Sequence, residues 1–248
     1  MRIATWNLQR PTSKARTARI RAMLKEIDAD VWVLTETRSD LSPGPEYVGF
    51  TSAASDRAGH LTEVWTAIWS RLQTKHLPVS GDPARTAAVC VSAHGNTLPV
   101  FGTVLPWAGS RWRDLPSSGG VAFEAALQEQ SADWRSLSAD HGGLCVAGDF
   151  NQDLAQQHYY WSKVTRESLQ RALSECGLHA LTGGAEDPVR LATEGHRASI
   201  DHICLSGRWR KVRVQAWAPV DDAGTMSDHF GVYADVEPVE PQTGEGLQ

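Results

Sequence analysis

The residues with chemistry to offer stand at the ends of apolar runs. Asn7 closes the first such run in "TWNLQ", Glu36 closes the second in "LTET", and Asp149 and Asn151 interrupt a later one in "VAGDFNQD". "SIDHI" puts Asp201 at the start of a further run, and "SDHFGV" puts Asp228 and His229 just before the last. Any one of these could be a simple turn former, because Gly, Asp and Asn bend a chain at strand ends. Their recurrence at strand–loop junctions is harder to attribute to turns. Carboxylates, carboxamides and an imidazole are also the groups of proton transfer and of hard-cation binding.

Holding these groups requires strands, and the pattern supplies about ten strand-sized runs. "RIATWNLQ" alternates and ends polar. "SKARTARIRAMLKEID" then places Ile20, Met23, Leu24 and Ile27 on one helical face, and "DVWVLTET" reads as a buried strand. "YVGFTSA", "VWTAIWSRL", "TAAVCVSA" and "LPVFGTVLPW" follow with no helical period between them, which favours an antiparallel meander. A second helix over "VAFEAALQEQSADWRSLSAD" groups Phe123, Leu127, Trp134 and Leu137, and a third ends at Gly177. "GGLCVAGDF" lies between the two helices, and "HICLS", "RKVRVQAWAP" and "GVYADV" complete the strands. The expected architecture is one domain over residues 1–238, with two packed sheets and helices on the outer faces. Residues 239–248, rich in Pro, Gly and Glu, read as a flexible tail.

Composition narrows the partners. The net charge is −5, so a chain that gripped long nucleic acid through phosphate neutralisation alone is not expected, and any such contact must be local or metal-assisted. Cys90, Cys145, Cys176 and Cys204 are scattered singly with no zinc spacing and read as reduced thiols. No apolar run is long enough for a membrane span and no signal sequence is evident, so a cytoplasmic protein without membrane contact is expected. Of the ten tryptophans, Trp6, Trp32, Trp65 and Trp69 fall in strand-like runs and are expected in the core. Trp107, Trp112 and Trp161 sit beside polar loops instead.

The motifs WNLQ, LTET, GDFN, SIDHI and SDHFGV, in that order, resemble the endonuclease/exonuclease/phosphatase superfamily over nearly the whole chain. The resemblance implies an α/β four-layered sandwich, two mixed β-sheets flanked by helices, with the active site at one edge. It implies metal-dependent hydrolysis of a phosphate ester by in-line attack of water, and hard oxygen donors suit Mg²⁺, with Mn²⁺ as a substitute. Carried over residue by residue, Glu36 is the principal metal ligand, supported by Asn7 and by Asp228 directly or through water. Asp149 orients and deprotonates the attacking water, and Asn151 donates a hydrogen bond to that water or to a phosphoryl oxygen. Asp201 fixes His229 as a cation that steadies charge at phosphorus. The chain also departs from the family. Where many members carry a His or Tyr it has Val104, Leu105 and Trp107, and Gln9 replaces an Asp, which weakens the case for a second tightly held ion.

Substrate choice belongs to the loops. "GSRWRDLP" mixes Arg111 and Arg113 with Trp112, and with Trp107, Tyr159 and Trp161 these are the expected substrate contacts. Arg10, Lys14, Arg16, Arg19 and Arg21 form an acid-free basic stretch, most of it expected as a solvated helix face. A nuclease acting on DNA is the leading expectation. A phosphatase or phosphodiesterase for a small phosphorylated metabolite or lipid head group is the alternative. A non-catalytic binding module is disfavoured by the completeness of the polar set.

Overall fold

The computed structural model describes residues 1–54, 61–93, 95–116, 120–155 and 160–239. The first half of the chain runs β1 (Arg2–Asn7), α1 (Lys14–Ile27), β2 (Val31–Arg38), β3 (Val48–Thr51), β4 (Glu63–Ser70), β5 (Gln73–Leu77), β6 (Ala87–Ala93) and β7 (Asn96–Val104). The second runs α2 (Val121–His141), β8 (Cys145–Asp149), α3 (Lys163–Glu175), β9 (His179–Ala180), α4 (Pro188–Ala192), β10 (Asp201–Leu205), β11 (Trp209–Trp217), the short pair β12 (Val220–Asp221) and β13 (Gly224–Thr225), and β14 (Gly231–Pro238).

Two six-stranded sheets form, ordered β11-β14-β1-β2-β4-β3 and β5-β6-β7-β8-β10-β9. Each has one parallel pair at its centre, β1 with β2 and β7 with β8, and a helix bridges each pair. A parallel pair needs such a crossover, and it brings the two carboxyl ends to the same edge. The expected meander is split: β3 and β4 join the first sheet, and the chain crosses after Ser70 so that β5, β6 and β7 build the second. β5 was not anticipated as a separate strand, because "QTKHL" has four of its five residues exposed or half-exposed and shows no apolar alternation.

Three apolar layers make the sandwich four layers deep. Ile3, Val31, Val33, Cys145, Ala147, Ile203 and Val232 pack between the sheets, Trp6, Ile20, Leu24, Trp32 and Leu34 lie under α1, and Phe101, Phe123, Trp134, Val146 and Leu169 lie under α2 and α3. The central strands are buried on both faces, so successive residues alternate between two cores. That is why they read as continuous apolar runs. The helices start and stop on local signals: the Ser13 side chain accepts from Arg16 N at 3.1 Å to open α1, and Asp28 in a left-handed conformation closes it. Trp65 corrects one expectation, since it is only half-buried and its indole lies under guanidinium groups. The expected tail lies outside the described residues except Val239, whose N–H donates to Arg208 O at 2.6 Å.

Candidate active site

Strand parity aims the polar residues. Positions 145 and 147 of β8 and 203 and 205 of β10 face the first sheet, so Asp149 and Asp201 continue the same inner row, directly opposite each other in the register. On β1, Ile3 faces inward and Asn7 follows at the same parity. The core between the sheets therefore ends in a polar layer. Giving a core position to Asp149 instead of a valine forgoes about 2 kcal/mol of apolar burial and adds the cost of a buried charge. Such a cost points to chemistry.

The cluster is stitched across the sheets. Asn7 Nδ2 donates to Asp149 Oδ2 at 2.9 Å, and Asn151 donates its backbone N–H to Asp149 Oδ1 at 2.9 Å and its side-chain amide to Oδ2 at 3.0 Å. Asn151 Nδ2 also reaches Leu105 O at 3.0 Å, and Asn151 adopts φ 48°, a left-handed conformation that Asn tolerates well. Gly148 makes the close packing possible: at φ 140° a Cβ would sit 2.0 Å from Thr103 O on β7. From the other sheet, the loop before β14 brings His229 Nδ1 within 2.6 Å of Asp201 Oδ2. Ser227 fixes that loop, its hydroxyl donating to Asn7 O at 2.6 Å and accepting from His229 N at 3.1 Å.

Electrostatics follow from this packing. Burial first, and then the Asp201 charge, push the Asp149 carboxyl up to about 7. Burial opposes charge on His229, but the carboxylates of Asp201 and Asp149 outweigh it and raise the imidazole to about 10. The proton of the His229–Asp201 pair thus sits on the ring. Asp149, Asp201 and His229 offer atoms all within 4.8 Å of one another, but an imidazolium has no lone pair for a metal. The donor set that suits a hard cation is Glu36, Asn7 and Asp149, with Asp228 more than half exposed beside His229 at 3.9 Å.

Glu36 sits at φ 44°, which breaks the alternation of β2 opposite Trp65, between the pairs Thr35↔Thr66 and Thr37↔Val64. Burial raises its carboxyl, and the Arg10 guanidinium, paired with it, works the other way. The chemistry of this donor set fits a divalent ion: burial raises the carboxyls of Glu36 and Asp149 together, so a cation beside them would be favoured, and Asn7 adds a hard amide oxygen. The residues present fit the metal that the family resemblance implies.

The expected substrate loops divide. Trp112 is buried in the core under α2, with its indole N–H donating to Asp82 Oδ2 at 2.8 Å, so it has no open face for a base. Arg113 stacks on Trp112 and pairs with Glu129 at 2.7 Å, and the Arg111 carbonyl accepts from Arg85. Trp107 is half exposed beyond the end of β7, Trp161 packs edge-on against Phe123, and Tyr159 lies outside the described residues. Sequence reasoning did not assign Glu63, Ser227, Arg197 or Phe230. Arg197 and Phe230 line a cleft of about 220 Å³ with Tyr160, Asp201, Asp228 and His229. Arg10 and Arg38 line a second cleft, and Arg38, Lys14 and Arg21 line a third that shares Thr12 and Arg38 with it. The "SDHF" motif itself held the signal for Ser227 and Phe230; nothing local marked Glu63.

The sandwich and its polar edge are those of an enzyme that hydrolyses phosphate esters. The chain belongs to the Endonuclease/Exonuclease/phosphatase family, whose model matches residues 4–229. No curated protein matches it. Among solved structures it is similar to the 3′ phosphatase NExo from Neisseria bound to product DNA hairpin (19% identity, TM-score 0.66, 96% of this chain and 99% of that one). It is similar also to an AP endonuclease from Archaeoglobus fulgidus (17%, 0.66, 95% and 98%) and to the endonuclease domain of a telomere-specific non-LTR retrotransposon (17%, 0.64, 96% and 99%). At these identities the likeness is one of fold. Among the described residues no helix is long and apolar enough to cross a membrane.

Proposed function

We propose that the protein is a Mg²⁺-dependent phosphodiesterase that cleaves DNA, with Asp149 as the base that takes a proton from the attacking water. The observation that carries this reading is the Asp149 carboxylate itself: fully buried, fixed by three hydrogen bonds and set beside an imidazolium. Donors on both oxygens hold one orientation, and a carboxyl raised to about 7 is a stronger base than a free aspartate while still largely ionised just above neutrality. A bound divalent ion, held by Glu36 and Asn7 with Asp149 nearby, would supply Lewis acidity at the phosphoryl oxygen. Asp201 locks His229 through Nδ1, which leaves Nε2 to donate to the phosphoryl group as its charge grows. Asn151 shares its amide between Asp149 and Leu105 and so holds the base in place.

Support for a polynucleotide lies beside Glu36 and no longer in the loop around Trp112. Of the five basic residues after Asn7, Arg16 is spent on Leu8 O and Met226 O, and Arg19 on Asp221. Lys14 and Arg21 instead line an adjoining cleft with Arg38, itself paired with Asp40, while Arg10 is paired with Glu36 and Glu63, so the positive charge presented there is that of Lys14 and Arg21. The Neisseria 3′ phosphatase is bound to a product DNA hairpin, and the Archaeoglobus protein is named an AP endonuclease. A small phosphate ester is the second reading, favoured by the cleft where Tyr160, Arg197 and Phe230 surround His229.

Cleavage of single- and double-stranded DNA, RNA, bis-p-nitrophenyl phosphate and p-nitrophenyl phosphate, with Mg²⁺, Mn²⁺ or EDTA, tests both readings. Metal-dependent DNA cutting that Asp149→Asn abolishes is the expected result. Activity confined to the small esters would transfer the mechanism to a metabolite, and activity that survives in EDTA would end the metal reading.

A further inference from the structure

Helix α1 grips the segment ahead of β14 with two arginines, and it uses them differently. Arg19 reaches outward to the β12–β13 hairpin, its Nε donating to Asp221 Oδ2 at 2.8 Å and its Nη2 to Gly224 O at 2.5 Å. Arg16, about one turn earlier, reaches inward. Its Nε donates to Met226 O at 2.6 Å and its Nη2 to Leu8 O at 2.6 Å. The same Nη2 leans on Gln9 O and Gln9 Oε1 at 3.3 and 3.4 Å.

The two carbonyls flank the site. Leu8 follows Asn7, and Met226 precedes Ser227, Asp228 and His229. Every described bond of the Arg16 guanidinium goes to an uncharged acceptor, although the Asp228 charge is felt there. Burial pushes this guanidinium below its ordinary pKa, and Asp228 works the other way. A cation committed to backbone oxygens gains less than one paired with a carboxylate, so stability alone does not explain the arrangement.

The neighbouring bonds define what Arg16 adds. The Ser227 hydroxyl donates to Asn7 O at 2.6 Å, and Trp6 Nε1 donates to His229 O at 2.9 Å, so both tie the segment to β1. Neither holds the Met226 peptide. Its N–H donates to Pro219 O, at the other end of the same hairpin, and moves with it. The Arg16 fork spans that gap, with one arm on Met226 O and the other on the chain after Asn7, which turns left-handed at Gln9 and Arg10 with φ 49° and 47°. Without the fork, the segment is free to pivot about Ser227.

We propose that Arg16 is a positioning residue for the reaction: by joining the Leu8 and Met226 carbonyls, it sets Asp228 and His229 against Asn7. This rests on the hydrolase reading given above. Arg16 acts through Asp228 and His229, and so on turnover more than on substrate affinity.

The test is steady-state hydrolysis of bis-p-nitrophenyl phosphate with Mg²⁺ by wild type, Arg16→Ala, Arg16→Lys and Arg19→Gln, with folding checked by circular dichroism. Arg16→Ala should lower kcat about 10²-fold, the cost of misplacing a group by about 1 Å, with KM within about twofold of wild type. Guanidinium chloride at about 50 mM, far below its denaturing range, should restore kcat about tenfold where equal sodium chloride does not. A variant that was only destabilised would lose activity in guanidinium instead of regaining it. Arg16→Lys keeps the cation without the fork and should lose about tenfold in kcat. Arg19→Gln frees the outer end of the hairpin and should stay within about twofold of wild type. A loss confined to KM, a folded Arg16→Ala that guanidinium does not rescue, or an equal loss in Arg19→Gln would overturn the proposal and leave the hydrolase reading standing. If Arg16→Ala does not fold, Arg16→Lys decides, and a wild-type kcat there overturns the proposal. No metal-dependent hydrolysis of this ester or of DNA by wild type would overturn the reading and the proposal together.

Discussion

The two sheets contribute to one site in different ways. The second sheet offers Asp149 and Asp201 as ladder partners on paired strands, buried, with their positions set by strand register. The first sheet offers Asn7, buried at the end of the β1 ladder, and then Glu36 and Arg10 where the backbone leaves regular geometry, with positive φ at Gln9, Arg10 and Glu36 and the Glu36 and Arg10 side chains partly open to solvent. Register is rigid because a slip of one residue would turn Asp149 out of the inner row. Strand ends held by ion pairs can adjust. On the function proposed above, the division suits hydrolysis: a general base at Asp149 would need a fixed position and a dry environment, whereas groups that admit an ion and a substrate would need access.

The sharpest way to break this comparison is Asp149→Asn. It should lower kcat on bis-p-nitrophenyl phosphate by about 10⁴-fold, the upper range for loss of a general base, without lowering the melting temperature, because it removes a buried charge. A variant that melted well below wild type would show that the carboxylate serves the fold. Glu36→Gln on the adjustable side should cost roughly 10²-fold in activity and abolish the rise in melting temperature that Mg²⁺ gives the wild type. If the Mg²⁺ shift persisted in that variant, the ion would have to be held elsewhere.

Two further measurements probe the rigid side alone. Gly148→Ala should destabilise the protein by about 3 kcal/mol in urea unfolding, since its Cβ would meet the Thr103 backbone. A loss below about 1 kcal/mol would mean that the β7–β8 pair can give, and that register is softer than argued. The smallest effect concerns His202, which is buried and neutral, with burial holding its pKa below the ordinary histidine value of 6.5. Its Nε2 faces Gln152 O at 2.9 Å and its Nδ1 faces Thr182 Oγ1 at 3.0 Å. The unfolded chain takes up a proton near pH 6.5 while the folded chain does not, so the His202 contribution is intact above that pH and falls away as pH drops towards the folded pKa. Urea midpoints of wild type and His202→Gln should therefore converge between pH 7.5 and pH 5. Parallel midpoints across that range would rule the effect out.

Much of the rigid half was legible in the sequence. Val146 and Ala147 announce a strand with two buried faces, and Asp149 is conspicuous because it continues the inner row in the wrong chemistry for a core. The adjustable half was legible only as isolated signals. Glu63 lies 53 residues from Arg10 in the chain, and nothing in "LTEVWT" says that Trp65 will carry guanidinium groups instead of packing inside. Trp112 failed in the opposite direction. Its polar neighbours suggest exposure, but the buried Asp82 carboxylate takes its N–H and draws the ring into the core. Local composition reports propensity, whereas these outcomes depend on long-range partners.

The His229–Asp201 and Asn7–Asp149 bonds also bear on when activity can first arise during synthesis. Asn7 is made more than two hundred residues before His229, and His229 is carried in just ahead of β14, which inserts between β1 and β11. No growing chain still short of β14 can assemble the imidazolium against Asp201. The nascent polypeptide is therefore without the His229–Asp201 pair until β14 has left the exit tunnel.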